Sequence, residues 1–308
     1  MDILTERRPA GGPARGARLM VAAAAVAVAA AMLVACSGAP APAPSRAQGS
    51  PDGAGRVSPP PRGGSAWLLT RWALSRLLAD SAAREQLRGS QVYEILQPGQ
   101  QPLPRATAKL IVIFASAREL EDAVTGGTLP AGTYGLLYDP EAWSLTPSTE
   151  RNDPVQAAAR AAAVAHAHGL RLIVAPALNL TGALAPGSRG PRWQAFLDLG
   201  LAGQLARVAD VIELQAQSLE RDAATYTAFV RAAASQARQA NPRVAVLAGL
   251  STNPPGAPVD SQHLTSAIQA TRSLVDGYWL NIPGQGPRCP TCNPPRPDIA
   301  IQALQELG

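Results

Sequence analysis

The chain has 308 residues, 46% of them hydrophobic and 16% charged, with a formal net charge of +5. Setting aside a basic leader brings the charge to about +3, too little to favour nucleic acid as a partner. Lys109 is the lone lysine and arginine supplies the other basic charge, a composition bias that does not point to guanidinium chemistry. Arg118-Glu119 and Glu220-Arg221 read as solvated helix faces.

The chain opens on Arg7, Arg8, Arg15 and Arg18, followed by an apolar run over 19–35 that is mostly alanine. A positive region, an apolar region and small residues at the end of the run make a secretory signal. Leu33-Val34-Ala35-Cys36 resembles the lipobox of bacterial lipoproteins. That resemblance implies removal of residues 1–35, a diacylglycerol on Cys36, and a globular part held at the outer face of the cytoplasmic membrane. The alternative is an uncleaved anchor, for which a run of about 17 residues is short; both readings put the rest of the chain on the same side. The chain as a whole resembles lipoproteins of high-G+C Gram-positive, actinobacterial bacteria, a resemblance that implies location and no activity.

Residues 36–64 are rich in Pro, Gly and Ala and hold almost nothing that could pack, so they are expected to be disordered. Proline-rich chain extends about 3.1 Å per residue, which makes this stretch a tether. From 65 to 308 the texture changes to apolar strands alternating with Ala-rich helices. A helix containing Trp67, Leu68, Trp72, Leu77 and Leu78 is expected first. Buried strands are expected at 109–115, 133–139, 171–177, 211–217, 244–250 and 277–282, with 92–96 a weaker seventh. Their nearly continuous apolar character suits a parallel sheet covered on both faces.

Helices are expected between the later strands. Asp153-Pro154 supplies a cap and a first-turn proline for one that Gly169 closes, and 193–208, 223–239 and 260–274 fill the other gaps. The fold class is therefore α/β, a (β/α) TIM-barrel-like domain over 65–308. Six or seven strands instead of eight leave either one cryptic strand or an incomplete barrel. A doubly wound open sheet is the runner-up, without the Gly-x-Gly-x-x-Gly that would follow a strand there.

In such folds ligands gather at the carboxyl ends of the strands. The strand at 133–139 runs into Asp139-Pro140-Glu141-Ala142-Trp143, the next leads to Asn179, and the last two lead to Asn253 and to Trp279 and Asn281. The segment 211–217 alternates with period two, so Glu213, Gln215 and Gln217 share one face and are expected to point into the barrel. Glycoside hydrolysis needs two carboxylates, one as acid and one as base or nucleophile; Asp139, Glu141 and Glu213 are the candidates. Trp143 and Trp279 are candidate sugar platforms, and Asn179, Gln215, Gln217, Asn253 and Asn281 candidate ligand-binding amides. The bland account has Asp139 capping a turn and the tryptophans packing under loops.

The segment from Asp210 to Gln217 has the spacing of the Asp-x-x-Asp-x-Asp-x-Glu signature on the fourth strand of chitinase-like barrels. The resemblance favours a barrel and argues against chitinase-type catalysis, because Gln217 stands where that family has its proton-donating Glu.

Cys289 and Cys292 lie in Cys-Pro-Thr-Cys. An oxidising compartment favours a disulfide there; zinc would need two more ligands, and a redox motif would open a helix, whereas Asn293-Pro294-Pro295 follows. His166 and His168 are two apart on a helix and face different ways. No cofactor or metal is indicated.

Two functions remain open: a carbohydrate-active, glycoside-hydrolase-like barrel acting on cell-envelope polysaccharide, or a non-catalytic barrel that binds sugar or peptide or serves as an envelope scaffold. Carboxylates about 5–10 Å apart in an open cleft would favour the first. Carboxylates sealed under side chains would favour the second.

Overall fold

The computed structural model describes residues 66–104, 106–254, 256–284 and 294–308. Cys36, the tether, Cys289 and Cys292 lie outside the described residues.

Eight parallel strands close into a barrel in sequence order: β1 (Ala66–Thr70), β2 (Gln91–Leu96), β3 (Lys109–Phe114), β4 (Thr133–Tyr138), β5 (Arg171–Val174), β6 (Val211–Leu214), β7 (Ala245–Ser251) and β8 (Gly277–Asn281). The seam closes where Ala66 of β1 pairs with Gly277 of β8. A Cβ on Gly277 would collide with the Ala66 carbonyl, so only glycine lets these two backbones meet.

The cryptic strand is β1, within the segment expected to be helical. Ala66–Thr70 is extended, and Thr70 at its end accepts a hydrogen bond from the Ala73 N–H (3.2 Å) to start α1 (Arg71–Ala79). Strand passes into helix without a glycine, a proline or a loop, so the apolar run from Trp67 to Leu78 reads as one element. Here α2 (Ser81–Leu87) follows. Between β2 and β3 there is no helix among the described residues, whereas α3 (Ala117–Thr125) follows β3.

Two helices follow β4, α4 (Ser148–Asn152) and α5 (Pro154–Ala167); Asp153 caps the latter by accepting from the Gln156 N–H (3.0 Å). It turns Ala157, Ala158, Ala161, Ala162 and Ala165 to the core; alanine lets the helix approach the sheet closely. After β5 come α6 (Thr181–Leu184), α7 (Arg192–Asp198) and α8 (Leu201–Ala206). The single helix expected at 193–208 is broken at Gly200, whose φ of 63° is left-handed and costs glycine little. The remaining helices are α9 (Ala223–Ala240), α10 (Ser261–Thr271) and α11 (Pro297–Glu306).

Strand parity divides the core in two. Ile212, Leu214 and Ala216 belong to the layer between sheet and helices. Leu68, Ile95, Ile111, Leu137, Ile173, Leu247 and Trp279 fill the barrel interior. Glu213 has the interior parity that the sequence alternation implies. The strand carrying it is the sixth, not the fourth as in the chitinase-like signature, and it ends at Leu214, three residues earlier than expected.

At the amino-terminal end of the barrel two aspartates staple neighbouring strands. Asp210 accepts from the Leu172 N–H (2.9 Å) and the Arg171 guanidinium (2.5 Å), with His166 Nε2 2.9 Å away. Asp276 accepts from the Val246 N–H (2.8 Å) and Arg238 (3.0 Å). His166 is thus committed to a staple and His168 to the Val164 carbonyl.

Candidate functional site

The opposite end, where the strands finish, carries the polar residues singled out in the sequence. Asp139 follows β4 directly, its N–H donating to the Phe114 carbonyl (2.9 Å). Gln215, just past β6, donates from Nε2 both to Asp139 Oδ1 (2.7 Å) and to the Ala175 carbonyl (2.8 Å). One amide thereby braces the ends of β4, β5 and β6. After Leu214 the backbone turns, the Ala216 N–H donating to the Leu214 carbonyl (2.7 Å), and Gln217 opens a short 3₁₀ turn, Gln217–Leu219.

Glu213 lies beneath. It is 0% exposed, and neither carboxyl oxygen has a hydrogen-bond partner. Burial first, and the charge of Asp139 second, hold its carboxyl well above the usual carboxylate range. The β7 position beside it is Gly249: a Cβ there would stand 2.6 Å from both Glu213 Oε1 and Gln217 Nε2. The missing side chain is what admits those two.

A second buried acid is Glu220, which the sequence reading placed on a solvated face. It is 0% exposed, accepts from the Ser251 N–H (2.9 Å) through Oε2, and leaves Oε1 without a partner. Burial pushes its carboxyl up as well. Burial first, then Tyr278 and the two acids, raise the Tyr226 hydroxyl, which donates to the Gly249 carbonyl (3.1 Å). The correction has a local cause: Glu220 caps a 3₁₀ turn that folds back under β7, a geometry that Glu-Arg adjacency does not encode. Thr252 Oγ1 and Trp279 Nε1 are also buried without partners.

Glu141 and Asn179 stand together at the rim, Asn179 Nδ2 lying 3.4 Å from Glu141 Oε2 and Asn179 Oδ1 accepting from the Ala142 N–H (2.8 Å). Trp143 donates its indole N–H to Thr146 Oγ1 (2.9 Å), and that hydroxyl donates to the Ala115 carbonyl (2.9 Å), so Trp143 is tied into its own loop. Trp279 is 5% exposed within the barrel interior and offers no open face to a sugar. Asn253 lies 3.5 Å from the carbonyls of Pro283 and Pro294.

The expected residues therefore separate by depth. Asp139 (4% exposed) and Glu213 are sealed, while Glu141, Asn179, Gln215, Gln217, Asn253 and Asn281 are half-buried. The side-chain amides of Gln217 and Asn281 make no hydrogen bond among the described residues. Glu220, Gly249 and Trp72 were missed; Trp72 lies in the first turn of α1 and is 38% exposed. Its signal was a tryptophan two residues past a strand end, concealed with the strand itself. No group of three or more His, Cys, Asp or Glu that could hold a metal occurs among the described residues.

The molecule is in class a (β/α)₈ barrel with a polar carboxyl-terminal mouth. No protein-family profile matches the chain, and no curated protein matches it. Among solved structures it is similar to a candidate α-L-fucosidase from Bacteroides thetaiotaomicron at 10% identity (TM-score 0.46), covering 86% of this chain and 98% of that one. It is also similar to a chitinase from Chromobacterium violaceum at 14% identity (TM-score 0.40; 70% and 93% covered). A triosephosphate isomerase from Bartonella henselae matches at 13% identity (TM-score 0.40; 71% and 92% covered). At such distances neither residue roles nor activity carries over, and the barrel stands on its own strand pairing.

Proposed function

We propose that this protein is a membrane-tethered barrel that binds carbohydrate at its carboxyl-terminal mouth without turning it over. The observation that carries the reading is the separation by depth: Asp139 and Glu213 are sealed, and the groups left open at the same strand ends are chiefly amides. A primary amide both donates and accepts, as a sugar hydroxyl does, and Gln217 and Asn281 have that capacity uncommitted. Lipid on Cys36 and the tether over 36–64 would hold the barrel near cell-envelope polysaccharide.

The test is calorimetric titration of the mature chain carrying Cys36→Ser with neutral envelope oligosaccharides, alongside an assay for released reducing ends. Binding without cleavage is expected. Gln217→Ala and Asn281→Ala should each weaken binding several-fold, the worth of about 1 kcal/mol per hydrogen bond, while Glu213→Gln leaves it unchanged. Steady release of reducing ends would overturn the reading. In a bacterial host, Cys36→Ser should move the protein from the membrane fraction to the medium; retention there would sink the lipid anchor.

A second reading, glycoside hydrolysis, is favoured by one observation: burial and the neighbouring Asp139 push the Glu213 carboxyl up. Two carboxyl groups whose environments push them apart make an acid and a base. Cleavage abolished by both Glu213→Gln and Asp139→Asn would establish it.

A further inference from the structure

We infer that the ligand site extends from the strand-end amides onto the β8–β1 rim, where Trp72 is a stacking platform, so that the ligand is an oligosaccharide of several rings. This rests on the carbohydrate-binding reading and adds the length of the ligand to it.

Trp72 and Leu145 are the large apolar side chains left exposed among the described residues. Trp72 directly follows Thr70 and Arg71, and so stands at the barrel mouth, away from the helix-packed wall. It lines a cavity of about 470 Å³ together with Thr70, Ile282, Gly284, Pro294 and Pro295. That volume lies in the range of roughly 300–1,000 Å³ typical of small-molecule sites. The Arg76 guanidinium lies 5.2 Å from the centroid of the indole, a cation–π contact. An aromatic face offers the C–H groups of a sugar a flat apolar surface while the hydroxyls remain at the edge.

The cavity lies at the ends of β8 and β1, next along the barrel rim from the amides. Ile282 in its wall is the residue after Asn281, and β8 pairs with β1, which ends at Thr70. From Gln217 beyond β6 to Trp72 beyond β1 the path crosses β7 and β8. That is three strand spacings of about 4.8 Å, or roughly 14 Å along the wall. One pyranose ring does not cover that span; a chain of rings does.

The experiment is calorimetric titration of the mature Cys36→Ser chain with β-1,4-linked glucose and N-acetylglucosamine oligomers, from disaccharide to hexasaccharide. Wild-type affinity is expected to rise about tenfold with length, one well-placed contact's worth. Trp72→Ala should remove that gain and leave the disaccharide affinity unchanged, and Trp72→Tyr should keep most of it. A urea transition matching wild type shows that the variants are folded. Length-independent binding, or an equal effect of Trp72→Ala on short and long oligomers, would overturn this inference alone. No binding to any oligomer would overturn the carbohydrate reading and this extension with it.

Discussion

At the amino-terminal end of the barrel Asp210 and Asp276 are partnered; at the carboxyl-terminal end Glu213 and Glu220 are not fully so, whereas Glu150, buried there too, accepts from Ser116, Ala117, Arg118 and Tyr138. Asp210 and Asp276 each accept a strand N–H and an arginine. Glu213 and Glu220 leave three of their four oxygens without a partner. A buried polar group without a partner costs about 1–3 kcal/mol, so the mouth holds groups that weaken the fold while the base holds groups that strengthen it. In barrels of this kind the base is the stability face and the mouth the functional one.

Glycine at the two ends provides the sharpest contrast. Gly277→Ala sets a Cβ against the Ala66 backbone carbonyl, which cannot move without opening the β8–β1 seam. It should cost about 3 kcal/mol or more in urea unfolding, or yield no folded protein. Gly249→Ala meets only the ends of the Glu213 and Gln217 side chains; about 1 kcal/mol is expected, with a larger effect on ligand affinity than on stability. Equal costs would erase the distinction between the ends.

Removing an acid from each end comes next. Asp276→Ala strands the Val246 N–H and the partly buried Arg238, and should destabilise by about 3 kcal/mol. Glu213→Gln should act the other way. The Glu213 carboxyl is raised in the folded state, so as pH climbs above about 4.5 the unfolded chain releases a proton that the native one keeps. Stability therefore falls with rising pH, by up to about 1.4 kcal/mol per unit, until the folded group titrates. The amide removes that slope, and a thermal unfolding series from pH 5 to 8 should be flatter and higher for Glu213→Gln.

The smallest effect has the opposite sign. Burial alone would raise the Asp210 carboxyl, but the Leu172 N–H, His166 and Arg171 outweigh it and lower it. Its contribution is present above about pH 4 and lost as pH falls through the depressed value. Because Arg171 and His166 are partly open to solvent, screening keeps it below about 1 kcal/mol. Asp210→Asn should lower stability by less than about 1 kcal/mol in the neutral range and change it little well below pH 4, so that the fall on acidification is shallower.

Much of this architecture is legible in the residues. Periodicity places seven of the strands, and Asp153-Pro154 with Gly169 bounds α5, because buried apolar runs and caps act locally. The strand β1 is hidden because its end doubles as a helix cap. The overlong expectations for β5 and β6 fail because their ends splay into the mouth, where side-chain bonds from Gln215 replace ladder pairs. Alternation alone places Glu213 on the interior face. That it would be sealed, and Glu220 buried behind it, depends on tertiary closure over β6 and β7, which no single segment records.

The direction of β1 has a mechanical consequence. β1 starts at Ala66, at the base, and runs toward the mouth, so a pull applied at Ala66 against the mouth is directed along the strand. Ala66–Thr70 is matched in parallel register to β2 over its whole length, and Ala66 to Leu68 are matched to β8. Such a load shears both ladders at once instead of unzipping them bond by bond, and the strand least visible in the sequence is the one through which the barrel resists being pulled apart.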